Sequence, residues 1–368
     1  MRRFGSVFFG AATTFLLYGF TACGFTTFES TADQDRDHLG VLQPALDPKV
    51  KKVLESYKSV DYSCIPAEKL REGFEERSKR LKKFEEPIAS IVNKTLQLPH
   101  AIGVRIYTPD VSQQKCSQEK LPVVLYFHGG GWVVGSLDSV DDVCRTIAHR
   151  SQCIVVSVDY RLAPENKFPA AVEDGYAVLK WAHEKAAEFG GDSSKIVVAG
   201  DSAGGNLAAA TALYARDHQG PKIAFQILIY PVTNHSFETL SYFQNEKGYR
   251  LEKNSMICFW DHYLKNHDEG MNPYASPLRA TSLNNLPPAL ILTAYYDVLR
   301  DEGESYATRL AHAGVDVKLI RYLDMIHGFI SFGPEYLSAN AALDVIANSL
   351  QERFQDKCHQ TPAQSHPQ

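Results

Sequence analysis

The chain has 368 residues, 44% of apolar type and 22% charged, with 38 Lys+Arg against 43 Asp+Glu for a net charge of −5. That mix excludes an intrinsically disordered chain, which is poorer in apolar residues. With no basic block and no Cys/His finger spacing, it also argues against a nucleic-acid partner. The length suits two domains, or one large α/β domain with an accessory layer.

Arg2 and Arg3 precede a stretch from Phe4 to Phe28 with no charge before Glu29. A basic start, an apolar run and then small residues are the pattern of a secretory signal peptide, here over 1–22. The run ends Phe20-Thr21-Ala22-Cys23-Gly24. Small residues just before a cysteine resemble the lipobox of bacterial lipoproteins, which makes Cys23 a candidate lipidation site and a membrane the partner of the lipid anchor. A signal peptide cut elsewhere and a retained span are the competing readings. The expectation is an exported protein, anchored on the periplasmic side or cell surface, or otherwise secreted. Residues 23–47, polar and acidic with Asp33, Asp35 and Asp37, read as a flexible tether. Beyond Cys23, the cysteines are Cys64, Cys116, Cys144, Cys153, Cys258 and Cys358, an even number open to disulfide pairing after export. Cys144 and Cys153 also suit small buried hydrophobes. With neither Cys-x-x-Cys nor His-x-x-x-His, no metal site is predicted.

From Pro48 to about Ile91 the text is charged and helical. Leu70, Phe74, Leu81 and Phe84 form one apolar stripe at helical spacing. From about 101 the pattern changes to short runs rich in Val, Ile and aromatics: Gly103–Thr108, Val123–Phe127, Ile154–Val158, Ile196–Ala199, Ile223–Ile229, Ala289–Thr293 and Val317–Tyr322. Helical text lies between them at 138–150, 169–189, 203–217, 301–313 and 335–355. This alternation predicts βαβ units and a mostly parallel, doubly covered α/β sheet. The exception is 232–275, a long aromatic-rich insertion that reads as a lid.

Three segments carry chemistry. Gly200-Asp201-Ser202-Ala203-Gly204-Gly205 follows one strand and opens a helix. Its glycines permit a sharp turn that would project Ser202 above the sheet at the positive end of the helix. His128-Gly129-Gly130-Gly131-Trp132 follows another strand. Backbone N–H groups of Gly129 and Gly130, with that of Ala203, are the predicted oxyanion donors for acyl transfer. A nucleotide phosphate loop would need a G-x-G-x-x-G or G-K-[ST] arrangement that is absent. His128 itself reads as a brace of this loop.

A serine nucleophile needs a histidine base and a carboxylate behind it. Of thirteen histidines, His327 alone sits in a loop just past the last strand, whereas His183, His218 and His312 read as solvated helix residues. Asp297 follows strand 289–293, at the end where sites of open α/β sheets assemble. Asp301 and Glu302 are rivals with a helix-capping explanation. The order Ser202, Asp297, His327 is that of α/β-hydrolases.

With its HGGGW and GDSAGG segments, the chain resembles the hormone-sensitive-lipase family of α/β-hydrolase carboxylesterases. Further matching text is Val158-Asp159-Tyr160-Arg161-Leu162-Ala163-Pro164-Glu165, Phe168-Pro169-Ala170-Ala171, Leu299-Arg300-Asp301-Glu302-Gly303 and His327-Gly328-Phe329. The resemblance implies an α/β-hydrolase fold over 101–358, with a helical cap made by 48–100 and the insertion 232–275. It also implies a small-molecule ester substrate, no cofactor, and hydrolysis through an acyl-Ser202 intermediate, with Tyr160 and Arg161 shaping the wall behind the elbow. Phe243, Phe259 and Trp260 in the insertion are the expected determinants of acyl selectivity, for short to medium chains. A related deacetylase or amidase would use the same triad. A catalytically silent ligand-binding hydrolase fold would typically lack one of its members.

Overall fold

A computed structural model describes residues 43–57, 65–80, 84–112 and 120–354. The signal peptide read at 1–22, Cys23 and most of the tether lie outside these residues, as do Leu81, Cys64, Cys116 and Cys358. The strands are β1 (Ser90–Gln97), β2 (Ala101–Thr108), β3 (Leu121–Phe127), β4 (Ile154–Asp159), β5 (Gly191–Asp201), β6 (Phe225–Ile229), β7 (Ala289–Tyr296) and β8 (Val317–Ile326). They form one sheet in the order β1-β2-β4-β3-β5-β6-β7-β8. Only β2 runs against the rest, pairing antiparallel with β1 and β4. The helices are α1 (Pro48–Glu55), α2 (Ala67–Arg80), α3 (Asp141–Ser151), α4 (Ala170–Lys185), α5 (Ala203–Asp217), α6 (Leu240–Gln244), α7 (Lys253–Tyr263), α8 (Arg300–His312) and α9 (Leu337–Phe354).

The central strands are apolar throughout because helices cover both faces of the sheet. Every residue of β3 is buried. Its side chains alternate: Val123, Leu125 and Phe127 enter one core, Val124 and Tyr126 the other. The first core is closed by Leu179 of α4, Leu207 of α5 and Leu310 of α8, the second by Ile147 of α3 and Leu343 of α9. The alanine-rich text of α5 lets that helix be buried almost all round. This is the mostly parallel, doubly covered α/β architecture expected from the sequence.

Two readings change. The sequence shows no strand before about 101, but β1 at 90–97 belongs to the sheet, within the segment 48–100 assigned to the cap. Only Leu96 of β1 is buried, so this edge strand carries no alternating apolar signal. The stripe Leu70–Phe84 is not one helical face. Leu70 and Phe74 pack into the first core, but Phe84 lies beyond the helix and packs against the second. Cys144 and Cys153 are buried free thiols, as their reading as small buried hydrophobes expects, and do not pair with one another. Burial pushes the Cys153 thiol up to about 12, which makes it an inert apolar side chain rather than a nucleophile. Among the described residues no helix is long and apolar enough to cross a membrane.

The insertion folds as α6 and α7 joined by short turns. Met256, Trp260 and Tyr263 of α7 join the same core as Leu70 of α2.

Candidate active site

β5 ends at Asp201 and α5 begins at Ala203, so Ser202 alone turns the chain. It does so at φ 58° and ψ −120°, a backbone region that costs an L residue about 1–3 kcal/mol. Hydrogen bonds hold it there: Ser202 N–H donates to the Ile229 carbonyl at 2.8 Å, and the Ser202 carbonyl accepts from Asn206 and Val232 N–H. Gly204 makes the turn possible. A Cβ there would lie 1.9 Å from the Phe127 carbonyl oxygen, so α5 starts directly against the end of β3.

His327, one residue past β8, reaches Ser202 Oγ with Nε2 at 2.9 Å. Its Nδ1 lies 2.7 Å from Asp297 Oδ2, and a carboxylate can only accept, so Nδ1 carries the proton and Nε2 is left to accept. The other Asp297 oxygen accepts from Leu299 N–H at 2.9 Å, which leaves the buried carboxylate bonded on both sides. Sequence candidates from three separate loops are thus one hydrogen-bonded row. Neither rival carboxylate touches His327. Asp301 accepts from Ser241 N–H, while Glu302 is buried and accepts from Thr233 and Asn234 N–H. Both tie down the insertion, and neither caps α8.

The glycine loop requires one correction. Gly129 N–H donates to Asp201 Oδ1 at 3.0 Å, so it is occupied and cannot serve an oxyanion. Asp201 accepts Tyr126 OH on the same oxygen, and burial pushes its carboxyl pKa up while these two bonds act against that rise. Gly130 and Gly131, at φ 122° and 58°, turn the loop through conformations only glycine adopts freely. Their N–H groups and that of Ala203 find no acceptor among the described residues. The N–H groups left open beside Ser202 are therefore those of Gly130, Gly131 and Ala203. Sequence reasoning missed Gly131, because three adjacent glycines do not reveal which N–H a neighbouring carboxylate has taken.

His128 is fully buried below the loop. Its Nδ1 donates to the Gly129 carbonyl at 2.8 Å, and its ring stacks on Tyr160 with centroids 4.3 Å apart. Tyr160 OH donates to the His128 carbonyl, and Arg161 is paired with buried Asp174. A cavity of about 540 Å³ opens over Ser202. Leu70, Phe74, Leu162, Leu251, Met256 and Phe259 give it an apolar wall. Phe259 lies over Gly131. Trp260 is instead buried against Trp132, and Phe243 is exposed beside Lys253, so neither lines the cavity. Among the described residues no cluster of His, Cys, Asp and Glu could hold a metal ion.

Residues 124–331 match the model of a family described as having the alpha/beta hydrolase fold. Over 303 residues the chain is 39% identical to Carboxylesterase NlhH of Mycobacterium tuberculosis, covering 79% of this chain and 91% of that one. It is 35% identical over 302 residues to an ethyl acetate hydrolase of Pseudomonas putida, covering 81% and 93%. Among solved structures, a thermostable esterase from Pseudomonas putida ECU1011 superimposes with a TM-score of 0.80 at 34% identity, covering 86% of this chain and 99% of that one.

Burial pushes the pKa of His128 down to about 4. An unfolded histidine titrates near about 6.5, so the unfolded chain binds more protons between these values. The stability that His128 contributes is therefore complete above about pH 6.5 and is lost as pH falls towards about 4, at up to about 1.4 kcal/mol per pH unit. Urea unfolding across this window should lose stability more steeply on acidification in the wild type than in His128→Gln, the difference between the two slopes being up to that amount. Equal slopes would mean that His128 is not held neutral.

Proposed function

The chain belongs to the hormone-sensitive-lipase-like family of α/β-hydrolases, and from that premise we propose that it is a carboxylesterase acting through Ser202, His327 and Asp297. The observation that carries this reading is the row Asp297–His327–Ser202, opening onto an apolar cavity beside three unoccupied N–H donors. Ser202 Oγ attacks the ester carbonyl while its proton passes to His327 Nε2. The carbonyl oxygen, now negative, is held by the N–H groups of Gly130, Gly131 and Ala203. The first turn of α5 adds its positive end at the same point. His327 returns the proton to the departing alkoxide, and the acyl-Ser202 ester remains. Water, deprotonated by the same imidazole, attacks that ester and releases the carboxylic acid and free serine.

Replacing the nucleophile of such a unit typically lowers kcat by about 10⁴–10⁶. Ser202→Ala should therefore lose hydrolysis of p-nitrophenyl esters at an unchanged melting temperature, because Ala adds no atom to the turn. Near-normal turnover would overturn the assignment.

Substrates are esters of short to medium acyl chains, since the cavity offers an apolar wall and is of limited volume. Phe259 is the side chain that bounds it beside the donor loop. Phe259→Ala should move the optimum of kcat/KM towards longer acyl groups in a p-nitrophenyl acetate-to-decanoate series. An unchanged chain-length profile would remove Phe259 from the specificity wall.

We also propose export, with a lipid on Cys23, supported by the Arg2-Arg3 start, the uncharged run and the Thr21-Ala22-Cys23 junction. Acyl chains anchor by about 0.8 kcal/mol per buried CH₂, and stable anchoring takes more than one chain. Metabolic labelling with a fatty-acid analogue should mark the wild type and not Cys23→Ser. Equal or absent labelling of both would end the claim.

A further inference from the structure

The short helix α6 of the insertion meets the catalytic row from the side that substrate does not use. The Asn245 side chain, just after α6, is fully buried. Its Nδ2 lies 3.1 Å from both the Tyr295 and the Asp297 carbonyl oxygens. Both neighbours can only accept, so the amide is oriented with its two donors towards the loop that leaves β7. Ser241 Oγ, also buried, donates to the Val298 carbonyl at 2.7 Å. The Ser241 N–H donates to Asp301 Oδ2 at 2.7 Å, and Gln244 Oε1 accepts from Arg300 at 2.8 Å. Two side chains of the insertion thus hold the carbonyls of residues 295, 297 and 298, on either side of the carboxylate that faces His327. The Asp297 side chain has its own bonds to Leu299 N–H and to His327. Nothing in those two bonds fixes the direction of the peptide planes that carry it; their carbonyls are held from α8 by Arg300, whose Nη1 reaches the Tyr295 carbonyl at 3.0 Å and whose N–H reaches the Asp297 carbonyl at 3.2 Å, and from the insertion by the amide of Asn245.

We infer that Asn245 is a positioning residue for the proton-transfer step, holding the backbone of Asp297 so that Oδ2 meets His327 Nδ1, with Ser241 as its second clamp. The insertion therefore does two things: Phe259 and its neighbours bound the substrate cavity, and the 241–245 segment sets the acid behind the base. A buried amide replaced by a methyl group takes one of two donors from each carbonyl, leaving the Tyr295 carbonyl with Arg300 Nη1 and the Asp297 carbonyl with Arg300 N–H. The loop then turns, and a misplacement of about 1 Å far from the chemistry costs up to about 10²-fold in rate. The inference rests on the assignment of Asp297 as partner of His327, and the test separates the two.

Steady-state hydrolysis of p-nitrophenyl butyrate is measured against pH for Asn245→Ala, Asn245→Asp and Ser241→Ala, each alone and combined with Asp297→Asn. Asn245→Ala should lower kcat by about 10- to 100-fold with KM changed less than about two-fold. The acid limb of its kcat/KM profile should move to lower pH, because the imidazolium has lost part of its carboxylate support. Asn245→Asp keeps the volume but points oxygens at two carbonyls, so it should lose at least as much. Combined with Asp297→Asn, the same substitutions should change kcat by less than about two-fold, because the group they position is gone. An equal loss in both backgrounds, a change in KM alone, or full activity of Asn245→Asp would overturn the inference. If the Asn245 variants do not unfold cooperatively, Ser241→Ala, which removes one hydroxyl, decides by the same comparison. Wild-type activity of Asp297→Asn itself would overturn the reading of Asp297, and the inference with it.

Discussion

The close approach of α5 to the end of β3 is the constraint from which the rest of the site follows. With hydrogen alone on the Cα of Gly204, the helix begins where a side chain would occupy the Phe127 carbonyl. Ser202 must then turn the chain in a single residue, at a positive φ. The loop that continues from Phe127 has to pass beside the start of the helix, so Gly130 and Gly131 line the same cavity as Ser202. A buried carboxylate holds the two segments together. Asp201, immediately before the nucleophile, accepts from Gly129 N–H in the loop and from Tyr126 OH in β3.

Burial acts on the ionisable groups around this turn in one direction, against charge. It pushes the carboxyls of Asp201 and Glu302 up and the imidazole of His128 down. Backbone N–H donors work against it at both carboxylates, from Gly129 at Asp201 and from Thr233 and Asn234 at Glu302. These groups are structural. Each ties a loop of the site to the frame, and none touches the cleavage chemistry.

The roof is attached by two different kinds of contact. Trp132, the residue after the glycines, stacks on Tyr263 of α7 with ring centroids 4.2 Å apart and planes within 4°. Arg71 of α2 donates to the Val133 and Ala163 carbonyls and forms a two-pronged pair with Glu165. That guanidinium holds the Glu165 carboxyl down at about 2. The pair is largely exposed and adds little stability, so its effect is orientation: α2 is registered on the loop that carries the donors. The donor loop is thereby held from below by Asp201 and His128 and from above by both parts of the roof.

Much of this was legible in the sequence, because it is written in local chemistry. Apolar runs at strand length, separated by helical text, identify the parallel sheet. The strand–Gly-x-Ser-x-Gly–helix context points to Ser202, and position after the last strands points to Asp297 and His327. Each of those inferences needs only the residues adjacent in the chain. What stayed hidden depends on partners distant in sequence. β1 is an edge strand with one buried side chain, so its pairing with β2 leaves no periodic mark. Gly129 reads as an oxyanion donor from the sequence because nothing local shows that a carboxylate 72 residues away has claimed its N–H. Phe243, Phe259 and Trp260 look equivalent in the insertion, yet one is exposed, one lines the cavity and one is buried against Trp132. Asn245 carries no sequence signal at all, and its two carbonyl partners come into reach only when α6 packs beside the end of β7. The chain determines by itself which residues could do chemistry, since that follows from side-chain type and neighbouring backbone. Which of their hydrogen-bonding groups remain free to do it was decided only by tertiary packing, because each buried donor goes to whichever acceptor the fold brings within about 3 Å.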